Sequence, residues 1–242
     1  MIRSAVVSCF GLLLLAAPQA PSQDVEALRA HHVGTLEGRV RLSGDVWPQP
    51  TQVENTTDPK VCGHGQTLED LLVSSADRGI ENVIVVVEGV PTAKVPPHEA
   101  ERLVLDNRAC RFVPHVSVLT VGSEIVAINN DPMLHTEHFY GAVNANVALP
   151  LEKTTVTKSA DRAGMIIVKC DVHGWMQAFI RVDDHPFHAV TDENGRFRIS
   201  GIPVGSYRLE LWHEKLGRQQ RTVRIKRGET EIIQIEYRLD SR

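Results

Sequence analysis

The chain has 242 residues, with 26 Lys and Arg against 30 Asp and Glu and a formal net charge of −4 at pH 7. With that mildly negative balance nothing points to nucleic acid, and the length suits one large or two small domains. Plentiful valine, isoleucine and threonine, broken often by glycine and proline, favour an all-β chain of short strands over a helical one.

Residues 1–20 read as a secretory signal peptide: Arg3 gives the positive start, residues 6–15 the apolar run, and Ala16, Ala17 and Ala20 the small residues for cleavage. A membrane anchor is the rival reading, but the run is short for a bilayer. Val7-Ser8-Cys9 comes too early, before the apolar run is complete, to serve as a lipid-acylation site. No later segment is long enough to span. The mature protein is therefore expected to be exported, periplasmic or extracellular, with no membrane span.

After a polar lead-in over residues 24–32, residues 34–42 alternate apolar and polar and predict a half-buried strand. Residues 47–59 read as a loop rich in Pro, Thr and Asn. Residues 68–73 fit a helical turn or a strand; the strand is preferred because 74–79 reads as a turn into residues 80–87. That last run is β-branched and apolar, which predicts an interior strand. Residues 90–99 are a proline-rich crossing. Residues 110–116 open the next module, and 118–129 make two strands about the turn at Gly122-Ser123. Residues 126–135 read as a strand, an Asn-Asn-Asp-Pro turn and a histidine. Residues 139–150 read as irregular. Residues 154–157 and 164–169 are strands, and so is 178–182. From His188 onward the texture changes: 189–199 is a strand, an Asn194-Gly195 turn and a strand, a strong hairpin signal. Strands over 201–211, 220–226 and 231–237 complete the chain.

The chemistry concentrates in Cys170-Asp171-Val172-His173-Gly174-Trp175-Met176, between two apolar strands. Thiolate and thioether are soft ligands that suit copper, and one Cys, two His and a weak axial Met make the blue-copper electron-transfer set. The loop supplies three of these, and the histidine after the upstream turn, His135, supplies the fourth. His138, three residues on, competes with His135 for that place. Zinc accepts Cys and His but does not usually take a thioether. A sandwich that kept these residues and binds no metal is the bland alternative.

In these residues the chain resembles the cupredoxins, the plastocyanin and amicyanin family, in which a first His follows a strand ending in Asn and a Cys-x-x-His loop is closed by Met. The spacing of two residues between Cys170 and His173 and two between His173 and Met176 is most similar to amicyanin. The resemblance covers roughly residues 104–184 and implies a Greek-key β-sandwich. It implies one type 1 copper on His135, Cys170, His173 and Met176, and single-electron transfer between partner proteins. The resemblance also implies that His173 presents its ring edge to the surface as the electron port. Trp175 either belongs to an apolar docking patch there or packs against the sandwich end. Asn129, Asn130 and Thr136 either tie the ligand loops together or are ordinary turn residues. Without Cys9, three cysteines remain, and an oxidising compartment leaves three pairings open. A Cys62–Cys110 disulfide is the pairing that leaves Cys170 free for copper.

The C-terminal stretch carries a second resemblance. Thr191-Asp192-x-x-Gly195-x-Phe197 followed by Pro203-x-Gly205-x-Tyr207 is similar to the carboxypeptidase regulatory-like (transthyretin-like) sandwich, a fold without catalytic residues. Gly38-Arg39-Val40 and residues 82–87 fit that family's opening strands. The expected organisation is a signal peptide (1–20), N-terminal strands (34–98) forming the first part of a small β-sandwich, a copper-binding domain (101–184), and the rest of the small sandwich (185–240). The rival is a tandem order in which the N-terminal strands belong to the copper domain.

Other features fall outside this set. His64, His115 and His213 offer a second metal site as one reading, and are expected instead to bond locally or face solvent. The basic residues around Arg224 and Lys226 alternate with Val223 and Ile225, as on an edge strand. Trp212-His213-Glu214 has no account in the sequence. Three functions compete: an electron carrier, a binding module in which copper is structural or absent, and a copper enzyme, against which Met176 argues by filling the coordination position that catalysis needs.

Overall fold

The computed structural model describes residues 32–239. The predicted signal peptide and most of the polar lead-in lie outside them. The architecture is all-β, two sandwiches side by side. Among the described residues no helix is long and apolar enough to cross a membrane.

One sandwich is built from β5 (Arg102–Asn107), β6 (Phe112–Val113), β7 (Val116–Thr120), β8 (Ser123–Asn129), β9 (His135–Gly141), β10 (Ala145–Leu149), β11 (Thr155–Ala160), β12 (Gly164–Lys169) and β13 (Gln177–Asp183). Its sheets run β10-β9-β12-β13-β7 and β11-β8-β5-β6. Between them lie Leu105, Phe112, Ile125, Phe139, Ile166, Val168 and Ile180, all buried. Three strands here lack a clear signal in the sequence: β5, β9 and β10, of which β9 begins at the histidine that was read as following a turn and ends inside the stretch expected to be irregular. β10 falls in the stretch expected to be irregular: its residues are small, yet alternate half-buried and exposed and register residue by residue on β9. β5 was read neither as a strand nor as a turn, and it lies parallel to β8.

The second sandwich draws on both ends of the described chain. β1 (Val33–Ser43) lies between β15 (Arg196–Pro203) and β18 (Thr230–Arg238). β4 (Ile84–Glu88) lies between β14 (His188–Val190) and β16 (Gly205–His213), with β17 (Gly217–Ile225) at the edge. The fully apolar run of β4 is explained by its two faces. Val85 and Val87 point into this sandwich's core, whereas Ile84 and Val86 meet Val116 and Phe179 of the first sandwich. A strand buried on both sides has no polar face to alternate.

Two predictions fail locally. Residues 68–73 form no strand; only Val73 makes an isolated bridge to Ile80. The Asn194-Gly195 turn is no hairpin, because β14 and β15 belong to different sheets. It is a corner docked on β1: the Gly195 carbonyl accepts from Val40 N–H at 2.7 Å. Gly195 has φ 71°, and a Cβ there would lie 2.1 Å from the Val40 carbonyl oxygen, so only glycine fits. Tertiary docking here overrides the local turn signal. The rest of that motif is also structural. Thr191 Oγ1 accepts from Val83 N–H (2.9 Å) and donates to the Ile80 carbonyl (2.7 Å), while Asp192 caps the turn through Asn194 and Arg196 N–H.

Between β1 and β4 the chain makes an excursion over the end of the first sandwich. It holds β2 (Gln52–Glu54), a single helical turn α1 (Pro59–Cys62) and β3 (Gly65–Thr67). The sequence reads residues 47–59 as loop, so β2 is missed, and makes no assignment over 60–67, where most of α1 and all of β3 lie.

Candidate metal centre

β9 begins at His135, and the loop between β12 and β13 carries Cys170 and His173. Because β12 and β9 are neighbours, the loop and the start of β9 meet at one end of the sheet. Nδ1 of His135 and Nδ1 of His173 are 3.1 Å apart, and each lies 3.8 Å from Cys170 Sγ. A point equidistant from the corners of a triangle with sides 3.8, 3.8 and 3.1 Å lies about 2.1 Å from each, a metal–ligand distance. All three side chains are buried. The donor set and its spacing therefore fit one ion. His135, Cys170 and His173 form a possible metal site. Met176 is buried at the close of the same loop, its N–H donating to the His173 carbonyl at 2.9 Å.

The remote ring nitrogens are held by carboxylates. His135 Nε2 is 2.9 Å from Asp131 Oδ2, and His173 Nε2 is 3.2 Å from Asp58 Oδ2. A carboxylate can only accept, so each Nε2 carries the proton and each Nδ1 presents its lone pair to the centre. Burial holds the His135 imidazole below its usual pKa; Asp131 opposes this and the His173 ring adds to it. Its neutral form is the one that ligates. Thr136 joins the two segments, its N–H 3.5 Å from Cys170 Sγ and its Oγ1 accepting from Asp171 N–H at 2.8 Å. Asn129 braces the turn by donating to the Met133 and Leu149 carbonyls. Asn130 bridges Asp106 and Lys153 on the sandwich surface and does not reach the donor atoms.

His138 is separated from the centre by strand parity. Three residues from His135, it lies on the other face of β9, where it bonds Asp171 and Tyr140. Glu137 faces inward instead. Burial pushes its carboxyl up to about 7, against a hydrogen bond from Asn107 Nδ2. A second grouping, Cys110 with Asp131 and His135, offers no metal site because Cys110 is spent in a disulfide with Cys62. That leaves Cys170 as the free cysteine among the described residues.

The surroundings of His173 differ from expectation. Its ring edge does not reach the surface: the residue is 0% exposed. The excursion between β1 and β4 lies over it, with Asp58 at the mouth and the Cys62–Cys110 disulfide as its anchor. Trp175 donates its indole N–H to the Cys110 carbonyl at 3.0 Å and packs on the core. Asp58 and Asp131 are the residues the sequence missed. Asp131 appeared only as a turn residue. Asp58 lies 115 positions from His173, and its one hint was the neighbouring Cys62.

Residues 154–232 match the family fn3_3, described as polysaccharide lyase family 4, domain II. The match runs from β11 of the first sandwich into β18 of the second. No curated protein matches the chain. Structural neighbours are copper proteins. A Cu-containing nitrite reductase from Thermus scotoductus SA-01 aligns with TM-score 0.31 and 17% identity, over 34% of this chain and 22% of that one. A mutant of amicyanin in its Cu(I) form aligns with TM-score 0.29 and 20% identity, over 41% of this chain and 98% of that one. The chain thus spans under a quarter of the reductase's length.

Proposed function

We propose that this protein is an exported type 1 copper protein that carries single electrons between redox partner proteins. The observation that carries the reading is the buried triangle of two Nδ1 atoms and one thiol, sized for one ion. His135, Cys170 and His173 would hold the copper, and Met176 would supply a weaker thioether ligand. Bound there, copper supplies a one-electron couple. The chain's own part is rigidity and exclusion. Asp131 and Asp58 fix both imidazoles in the ligating tautomer, and two sheets fix the loops that carry them, so little need move when the charge changes. The excursion with Asp58 and the disulfide keeps water from His173. A set closed in this way supports a carrier over an enzyme, which needs an open position.

For the rest of the chain, we propose that the copper domain (101–184) is inserted into the second sandwich (34–98 and 185–240). The pairing of β1 and β4 with strands after His188 supports that order over a tandem one. The Thr191–Phe197 and Pro203–Tyr207 motifs support a carboxypeptidase regulatory-like origin for the second sandwich. The proposed signal peptide at 1–20 supports export, with no membrane span in the mature form.

The test is an optical and EPR titration of the mature protein with Cu(II), beside Cys170→Ser. An intense visible thiolate-to-copper band, absent from the variant, is expected. A wild-type protein with Cys170 reduced and no such band overturns the reading and moves the weight to a metal-free binding module.

A further inference from the structure

The sequence motif Trp212-His213-Glu214 sits at the tip of the β16–β17 hairpin, and the structure gives it a place. Trp212 packs on Phe179 of β13, ring centroids 5.0 Å apart. Glu214 reaches the first sandwich with both carboxylate oxygens: Oε1 bonds His115 Nε2, and Oε2 accepts from Gln177 Nε2 at 2.9 Å. His115 closes the ring, its Nδ1 lying 3.0 Å from the Gln177 carbonyl. Next to it, Lys215 Nζ is 2.8 Å from Asp70 Oδ2.

The chemistry of this ring is specific. Both nitrogens of His115 face groups that only accept, a carbonyl and a carboxylate, so both must donate and the ring is an imidazolium. Burial opposes that charge; Glu214 outweighs it, aided by Glu69 and the Gln177 carbonyl, and the His115 pKa lies above its usual value. A largely buried ion pair whose partners come from different sandwiches favours one register, because removing either partner leaves a charge with little solvent to replace it.

Its position gives it a target. Gln177 is the first residue after Met176 and pairs with Lys169, the last residue before Cys170. Lys169 and Gln177 are thus the two stems of the ligand loop. Glu214 grips one stem by its side chain and, through His115, by its carbonyl. We infer that Glu214 is a positioning residue by which the second sandwich sets the geometry of the loop Cys170–Met176. This rests on the copper reading for its effect on a metal, and stands without it for its effect on the loop.

The experiment compares Glu214→Ala with Ile235→Ala, a core truncation in the other sheet of the second sandwich from the hairpin, in the mature protein. Cys170 is buried, so its alkylation rate in the metal-free protein reports loop opening. Glu214→Ala is expected to speed labelling about tenfold, what the loss of one charged hydrogen bond gives. Glu214→Gln, which keeps an acceptor, is expected to fall between. Ile235→Ala should leave the rate near wild type, measured well below its melting temperature. In the copper-loaded proteins, Glu214→Ala should change the ratio of the thiolate-to-copper bands and the Cu(II) hyperfine splitting, and Ile235→Ala should not. Unchanged labelling in Glu214→Ala, or equal acceleration in both variants, overturns the inference. A wild-type protein without a copper band would overturn the copper reading alone, and the labelling rates would still decide the role of Glu214.

Discussion

The two sandwiches share an architecture and differ in what they bury. The second fills its core with Leu36, Val40, Val85, Leu209, Leu211, Val223 and Ile235. Its buried charged residue on β16, Glu210, points outward and meets Arg181 of the first sandwich at 3.3 Å. The first sandwich instead buries Asn107, Asn129, Asp131, His135, Glu137 and His173 around one end. Buried polar groups cost stability unless partnered, and a fold keeps them where they do something. The second sandwich's own buried polar side chains, Thr191, Glu210 and His213, are scattered and not gathered at one end, and on that difference we place the proposed metal chemistry in the first sandwich.

The largest test of that division removes the disulfide. Cys62 and Cys110 are 48 positions apart, and loop-closure arithmetic for that span gives about 4 kcal/mol. The excursion they anchor belongs by sequence to the segment between β1 and β4, yet it covers the first sandwich. Cys62→Ser with Cys110→Ser is therefore expected to lower unfolding free energy by about that much and to expose His173. Urea denaturation gives the first quantity, and the rate at which an externally added chelator strips the metal gives the second. If stripping does not accelerate, the excursion is held by its other contacts, such as Arg111 on Glu69 and the Thr67 carbonyl.

The fold was legible wherever apolar residues had one role. The alternation of β1 and the continuous run of β4 read correctly as strands, because each pattern follows from which faces are covered. β10 did not read, since its small residues carry little hydrophobic signal and only the register with β9 makes it a strand. The Asn194-Gly195 turn misled for the opposite reason: its dipeptide promises a hairpin, while its docking on β1 makes a corner. His135, Cys170 and His173, which the structure brings together as a possible metal site, stood out in the sequence because metal chemistry restricts both residue type and spacing. Asp58 was not, because a carboxylate brought in from a remote segment leaves no local pattern. The covered edge of His173 follows from that same segment and was unreadable with it.

The pH dependence of stability should separate the sandwiches by sign. Burial first, then the charge of His115, holds His213 down to about 4, so the folded protein carries it neutral, with Nδ1 accepting from Lys215 N–H. The unfolded chain binds that proton from about pH 6.5 downward. Stability from this group is thus complete above pH 6.5 and is lost as pH falls to 4, by about 3 kcal/mol. Glu137 acts in the other direction. With its carboxyl near 7, the folded state keeps a proton that the unfolded chain has released, so stability falls as pH rises from 4.5 to 7, by a similar amount. Because the two windows overlap and their signs oppose, denaturant unfolding of the metal-free protein from pH 4 to 8 is expected to show stability falling as pH rises from 4.5 to 7 in His213→Gln, and stability rising as pH rises from 4 to 6.5 in Glu137→Gln. A slope unchanged by either variant would remove that residue from the account.

The finest comparison lies within the centre, between its two carboxylates. Asp131 is buried, belongs to the same turn as His135, and also accepts from Ala109 and Cys110 N–H at 2.8 Å each. Asp58 arrives from the excursion, and its side chain is 46% exposed. Both hold an imidazole proton, but Asp131 also holds the turn together. Asp131→Ala is therefore expected to lower metal affinity and thermal stability together. Asp58→Ala should weaken metal binding by about tenfold, the lower end for loss of a ligand's hydrogen-bond partner, with little change in melting temperature, because water can replace its exposed carboxylate. Competition against a chelator of known affinity measures the first quantity and calorimetry of the apo-protein the second. If Asp58→Ala binds metal as tightly as wild type, the His173 tautomer is fixed by the loop alone. The excursion would then be a shield and not a partner of the ligand.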